Sequence, residues 1–390
     1  MTAADSIMIE ARTTRTLRAA LLVILWVFCA GRLPAQQPAA QFRSALPGYH
    51  WQFPRDHFAH PEFANEWWYF TGNLTTAHGR RFGFELTFFR ISPFPGADLR
   101  QDFYFAHFSI SDLAHGGFYF HERARRGLWR QAGLQRQPSG AFRLWTANWQ
   151  LQMGTNGPRR LDADWGGMAL HLQLGPSPIL FNGVNGWSQK GARLGESSYY
   201  YSLPRLAADG EIGVSGHRHG VHGLVWMDHE FATNQLAPNQ QGWDWMGLQL
   251  ESSTAAGQPA QDLDLMLFQL RQKDGSKDSH SSATLRMAPP ASVTTLPSGG
   301  FQMTPVRWWK SPATGAHYPV AWTVSIPSRQ LTLTVEARQD NQELRTRITG
   351  VDYWEGAVKV TGREAGHPVQ GSGYLELTGY GHALRALQAR

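Results

Sequence analysis

Cysteine is all but absent: the 390-residue chain holds one, Cys29, and it falls inside an apolar run near the N-terminus. A chain that loses that run has no thiol, which excludes disulfides, thiol catalysis and cysteine metal sites. Charge is scarce too, at 17% of residues, and no long amphipathic helical pattern occurs beyond the N-terminal region. The sequence contains no Gly-x-Ser-x-Gly elbow and no Gly-Lys-Ser/Thr phosphate loop. Neither His121-Glu122 nor His229-Glu230 is followed by the second histidine of a zincin helix. Serine-esterase, nucleotide-loop and metalloprotease chemistry therefore lose their main support.

What is abundant is aromatic. Trp 16, Tyr 11 and Phe 21 make 12% of the chain, and Trp outnumbers Lys. With 42% hydrophobic residues, 40 Gly and 22 Pro the chain is globular and turn-rich, and it requires large flat apolar surfaces with polar handles. The net charge of +6 does not mark a nucleic-acid partner. The first 35 residues hold four arginines against Asp5 and Glu10, so 32 basic and 28 acidic residues remain, mixed along the chain without a long basic run.

The N-terminus reads as an export signal. Arg12, Arg15 and Arg18 precede the apolar or small run 19–31, which is short for a bilayer span, and cleavage is expected near Ala35. Asp5 and Glu10 fit poorly in such a segment and point to Met8 as an alternative start. The expected location is periplasmic or secreted.

From Trp67 onward the hydrophobic period is two. Val320, Trp322, Val324 and Ile326, then Leu331, Leu333, Val335 and Ala337, alternate with small or polar residues as strands with one buried face do. His78-Gly79, Asp209-Gly210 and Asp274-Gly275 read as turns between strands. The expected fold class is all-β, with antiparallel barrels or sandwiches. The softest internal stretch, 232–241, divides the chain into an export signal (1–35), an N-terminal barrel (45–236) and a C-terminal barrel (237–390).

Four clusters carry chemistry. In Asn65-Glu66-Trp67-Trp68-Tyr69-Phe70-Thr71-Gly72, alternation puts Glu66 and Trp68 on one face and Trp67 and Tyr69 on the other. A carboxyl beside indoles suits a general acid, or else Glu66 is bonded to backbone amides or an arginine beneath an aromatic layer. In Trp226-Met227-Asp228-His229-Glu230-Phe231, three ionisable residues in a row end a strand; they form either an active site, if the strand end twists enough to bring Asp228 and His229 to one cavity, or an ion-pair cluster. Gly242-Trp243-Asp244-Trp245 sets a carboxyl between two indoles. Such an acid can protonate an alkene while aromatic faces steady the cation, or it can cap backbone donors in a packing layer. The pair 353–358, with Tyr353-Trp354-Glu355, and 373–380 reads mainly as strands closing the second barrel.

Two weaker patterns are present. His217, His219 and His222 give three imidazoles in six residues, but strand alternation splits them, so no metal is expected. Glu66 with Glu230 among Trp-rich strands also fits a glycosidase pair, provided the carboxyls lie within about 10 Å.

Together with 200–206, these motifs recur in the order seen in carotenoid 1,2-hydratases and AttH-type secreted proteins, a family the chain resembles over nearly all of its length beyond the signal. The resemblance implies two lipocalin-like, calycin-type barrels packed together. It also implies cofactor-free addition of water across a carbon–carbon double bond of an acyclic isoprenoid, and, for the AttH branch, association with ABC-type exporters. It places Asp228 or Asp244 as proton donor with His229 orienting water or the donor, Glu230 and Glu66 nearby, and Trp67, Trp68, Tyr69, Trp226, Trp243, Trp245 and Trp354 around a hydrophobic ligand. Phe231 departs from the hydratases, which carry Trp in this neighbourhood, and the motifs are closer to the AttH branch. The alternative to an acid-catalysing enzyme at the domain interface is a lipid carrier, which would have a cavity lined only by apolar and aromatic groups.

Overall fold

Both faces of the central strands are buried, and this decides the architecture. In the computed structural model, which describes residues 41–96, 98–253, 260–289 and 291–381, strand Asn65–Thr76 buries Trp68, Phe70 and Leu74 on one side and Tyr69 and Thr71 on the other. The expected export segment, 1–35 with Cys29, lies outside the described residues.

Two antiparallel sheets account for nearly all regular structure. The first has thirteen strands, and its central path runs through Gly117–Arg126, Phe103–Asp112, Arg81–Ile91, Asn65–Thr76, His217–Asn234 and Ser197–Val214. It curls until Gly117–Arg126 comes against Ala132–Arg136. The second has ten strands, with Gln261–Gln272, Gln240–Ser252, His367–Leu377 and Tyr353–Glu364 side by side. The first sheet ends at Asn234 and the second begins at Gln240, and the described residues from Gln41 onward form one compact unit.

Each curled sheet fills its own interior. Trp68, Phe88, Phe108 and Trp149 belong to the first core, and Leu248, Trp322, Val324 and Leu375 to the second. A third apolar layer, including Tyr69, Trp226, Trp245, Phe268 and Tyr374, draws on both sheets and joins their outer faces. Hydrogen bonds cross this joint from Asn73 Nδ2 to the Gly373 carbonyl (3.1 Å), from Gln249 Nε2 to the Pro204 carbonyl (2.6 Å) and from Arg205 Nε to Asp264 (2.7 Å). Gly83 allows the close approach, since a Cβ there would meet Ala357 and the Tyr374 hydroxyl within 3 Å.

One expected turn is absent. Asp209-Gly210 lies within strand Ser197–Val214, where Gly210 pairs with both Leu172 and Val221. The hairpin turns instead at Ser215-Gly216, both at positive φ (51° and 81°). Gly210 is there because the His171 carbonyl leaves no room for a Cβ, so an isolated strand glycine marks close backbone approach rather than a turn.

Candidate active site

The barrel interiors are packed; the cavity lies between the sheets. It measures about 200 Å³, and mostly apolar and aromatic atoms surround it. Its wall on the first sheet is built from cross-strand rows. Ser202, Asp228, Tyr69, Thr87 and His107 are direct neighbours across adjacent strands, and Tyr200, Glu230, Trp67, Phe89 and Phe105 form the next row. The second sheet supplies Phe268, Trp245, Glu376 and Glu355, also a cross-strand row. Because side chains alternate along a strand, each row lies on the outer face of its sheet while the intervening residues fill the barrels.

Asp228 is 5% exposed and is held by three donors. The Tyr200 hydroxyl donates to Oδ2 (2.6 Å), while Ser202 Oγ (2.5 Å) and Trp226 Nε1 (2.7 Å) donate to Oδ1. Trp245 Nε1 in turn donates to the Tyr200 hydroxyl (2.9 Å), which ties the second sheet to this carboxyl. Burial pushes the Asp228 pKa up to about 7 against the pull of the three donors. Glu230 pairs with the buried Lys190 at 3.1 Å, and the Lys190 ammonium lies over the rings of Phe268 (3.9 Å) and Tyr200 (5.4 Å).

Glu376 and Glu355 of the wall, and Glu85 two residues from Thr87 on the same strand, favour their neutral forms. Burial raises Glu376 and Glu85 to about 8 and Glu355 well above its ordinary value, and nearby carboxyls add to it: Asp228 and Glu230 for Glu376, Glu376 for Glu85, and Glu85 and Glu376 for Glu355. His107 Nδ1 is 2.7 Å from the Tyr353 hydroxyl, and burial pushes its pKa down to about 3.

Among the expected site residues, Asp228, Glu230, Trp67, Tyr69, Trp243 and Trp245 line the cavity, Glu66 borders it while its carboxyl bonds His60, His229 and Arg90, and Trp226 holds Asp228. The others project from the opposite faces of the same strands. Trp68 is packed in the first barrel with Nε1 donating to the His57 carbonyl (3.0 Å), and Trp354 in the second, donating to the Asp340 carbonyl (2.7 Å). The strand end does not twist enough to join His229 to Asp228: His229 stacks on Trp68 inside the first barrel.

Glu66 is inside that barrel as well. Its Oε1 accepts from His60 Nδ1 (2.7 Å) and His229 Nε2 (2.8 Å), and its Oε2 from Arg90 Nε (2.9 Å) and the His60 amide (2.9 Å). Burial alone would raise its pKa, but His60 and Arg90 hold the carboxyl well below the usual range. Phe231 lies flat on His60 at 3.5 Å. His60, Glu66 and His229 form the one grouping of metal-ligand type among the described residues. Both imidazoles already bond Glu66, and the Arg90 guanidinium holds its other oxygen, so the donor set fits an ion-pair network better than a cation. Glu66 and Glu230 project from opposite faces of paired strands.

Asp244 points into the second barrel, behind Trp243 and Trp245, and accepts from Arg271 Nε (3.0 Å), Tyr380 (2.9 Å) and Gln269 Nε2 (3.1 Å). Asp244→Asn is therefore expected to cost about 2 kcal/mol of stability in urea unfolding and to leave ligand binding in the cavity unchanged. A binding loss without a stability loss would reverse that placement.

Lys190, His107, Glu355 and Glu376 were not expected in the site. Glu355 and Glu376 were legible in principle, since alternation puts Glu355 beside Tyr353 and away from Trp354. The first two are isolated in sequence and are recruited by tertiary packing alone.

Two curled antiparallel sheets forming barrel-like halves, with a mostly apolar and aromatic cavity between them, define a two-barrel protein of the lipocalin-like class. The chain belongs to the AttH-like family, whose model matches residues 44–380. The crystal structure of an AttH-type protein from Nitrosomonas europaea is 34% identical, with a TM-score of 0.74 over 87% of this chain and 100% of that one. Kievitone hydratase from Nectria haematococca shares the fold at 15% identity, with a TM-score of 0.63 over 88% of this chain and 98% of its own. The dehydratase asqC of Emericella nidulans is 26% identical over 210 residues, which cover 51% of this chain and 54% of that protein. The chain thus matches about half the length of this curated relative.

Proposed function

We propose that this protein adds water to, or removes it from, a carbon–carbon double bond of an apolar molecule held between the two barrels, with Asp228 as the acid. The observation that carries the reading is the Asp228 carboxyl itself, which is buried in an aromatic cavity, fixed by Tyr200, Ser202 and Trp226, and raised to about 7, so that it holds its proton near neutrality. Hydratase and dehydratase relatives support the same class of reaction. In the hydration direction the Asp228 proton adds to one alkene carbon and leaves a cation on the other. The faces of Trp67, Trp243 and Trp245 steady that charge. Water then bonds to the cation and returns a proton to the Asp228 carboxylate, restoring the acid. Dehydration runs the same steps backward.

A carrier needs only an apolar lining, whereas this wall also contains Asp228, Glu230, Lys190, Glu355 and Glu376. The test is to incubate the purified protein with acyclic isoprenoid alkenes and tertiary alcohols in isotopically labelled water. Alcohols that have gained one labelled water, or alkenes formed from the alcohols by loss of one water, support the reading, while retention of unchanged ligand throughout supports carriage. Because the donor must be protonated, turnover is expected to fall above about pH 7, by roughly tenfold per pH unit. A profile flat from pH 6 to 9 removes Asp228 from that role.

A further inference from the structure

The cavity wall has a second polar pole that acid catalysis at Asp228 does not use. His107 is 4% exposed and lines the cavity, and its Nε2 is buried with no hydrogen-bond partner among the described residues. Glu355, on the facing sheet and two residues from Tyr353, lines the same stretch of wall, with its buried carboxyl toward Tyr69. We infer that the natural ligand is an elongated apolar molecule with a hydroxyl or carbonyl oxygen at the end that meets His107, rather than a plain hydrocarbon. This substrate class rests on the reading of Asp228 as the acid that acts at the other end.

Either tautomer of His107 leaves one hydrogen bond to make. If the Tyr353 hydroxyl donates to Nδ1, then Nε2 carries the proton and donates; if Nδ1 donates to Tyr353, Nε2 accepts. A hydroxyl answers both cases and a carbonyl the first. A hydrocarbon answers neither, and it would leave the buried Nε2 stripped of water without compensation. The rings of Phe89 and Phe120 stand edge-on to the imidazole at 5.1 and 5.6 Å and hold it in place. Burial keeps the ring neutral, which suits an uncharged oxygen better than an anion. The separation of the poles sets the length of the ligand. Asp228 and His107 are three strand spacings apart in one row, about 14 Å at the usual interstrand distance.

The experiment compares farnesol with the hydrocarbon of the same skeleton lacking the hydroxyl, by tryptophan fluorescence titration of the full chain. The wild-type protein is expected to bind farnesol at least about tenfold more tightly. His107→Phe is expected to abolish that preference, and Asp228→Asn to retain it. Binding of neither probe, equal binding of both, a preference that survives His107→Phe, or one that vanishes in Asp228→Asn overturns the inference. The wild-type comparison stands whether or not the His107 variant folds. Because the readout is binding, loss of the hydration reading through absent turnover leaves a distinct result from loss of the oxygen preference.

Discussion

Asp228→Asn is expected to reduce turnover at least about 100-fold while making the protein more stable, relative to wild type, at alkaline pH. The two effects share one cause. The substitution removes the transferable proton but keeps an oxygen that can accept from Ser202 and Trp226, so the wall around it is preserved. The folded protein holds the Asp228 proton up to about pH 7, whereas the unfolded chain releases it near 3.8. Between these values the native state binds more protons than the unfolded state, so the Asp228 contribution to stability falls as pH rises. Above about 7 the decline is complete, and the wild type carries a cost that the Asn variant lacks. Thermal melts at pH 5 and 8.5, paired with turnover assays, therefore show the variant gaining on the wild type at the higher pH while inactive at both. An active variant, or one whose relative stability is the same at both pH values, contradicts the account.

Glu66→Gln is expected to have the largest effect on folding, about 3–5 kcal/mol. Glu66 neutralises a fully buried cluster in which Arg90 also bonds Asp102 (3.1 Å) and the carbonyls of His60 (2.8 Å) and Phe63 (2.9 Å). Gln keeps the shape but leaves the Arg90 guanidinium and the His60 imidazole short of negative charge. The folded-state pKa of Glu66 lies below its ordinary 4.5, so its contribution is fully present above that value and is lost as pH falls below it. Urea unfolding should give a large gap between wild type and variant at pH 7, and a smaller one at pH 3.5. A gap under about 1 kcal/mol at pH 7 would mean that the pairs contribute no more than surface ones.

Period-two alternation made the fold class legible, and it also divided each aromatic motif correctly into two faces. It put Trp67 and Tyr69 against Glu66 and Trp68, and Asp228 and Glu230 against His229 and Phe231, as the structure has them. What alternation cannot say is which face turns inward. Lipocalin-type barrels suggest a ligand inside, but here Trp68, Trp149, Trp322 and Trp354 fill the interiors and the outer faces meet around the cavity. Asp244 shows the same limit. Its indole neighbours are in the wall, and it is behind them, bonded to Arg271. Lys190 and His107 carry no local signal, because their roles arise from loops and strands brought together across 40 and 246 residues, as the Glu230 and Tyr353 contacts show.

The central claim is that Asp228 holds a proton near neutral pH inside an aromatic cavity. Carbon-13 NMR titration of labelled aspartate carboxyls, with Asp228→Asn for assignment, measures it directly. A resonance missing from the variant that titrates with a midpoint about 7 is the predicted result. A midpoint near the ordinary 3.8 would show a carboxyl that is charged throughout the physiological range and unable to act as the acid.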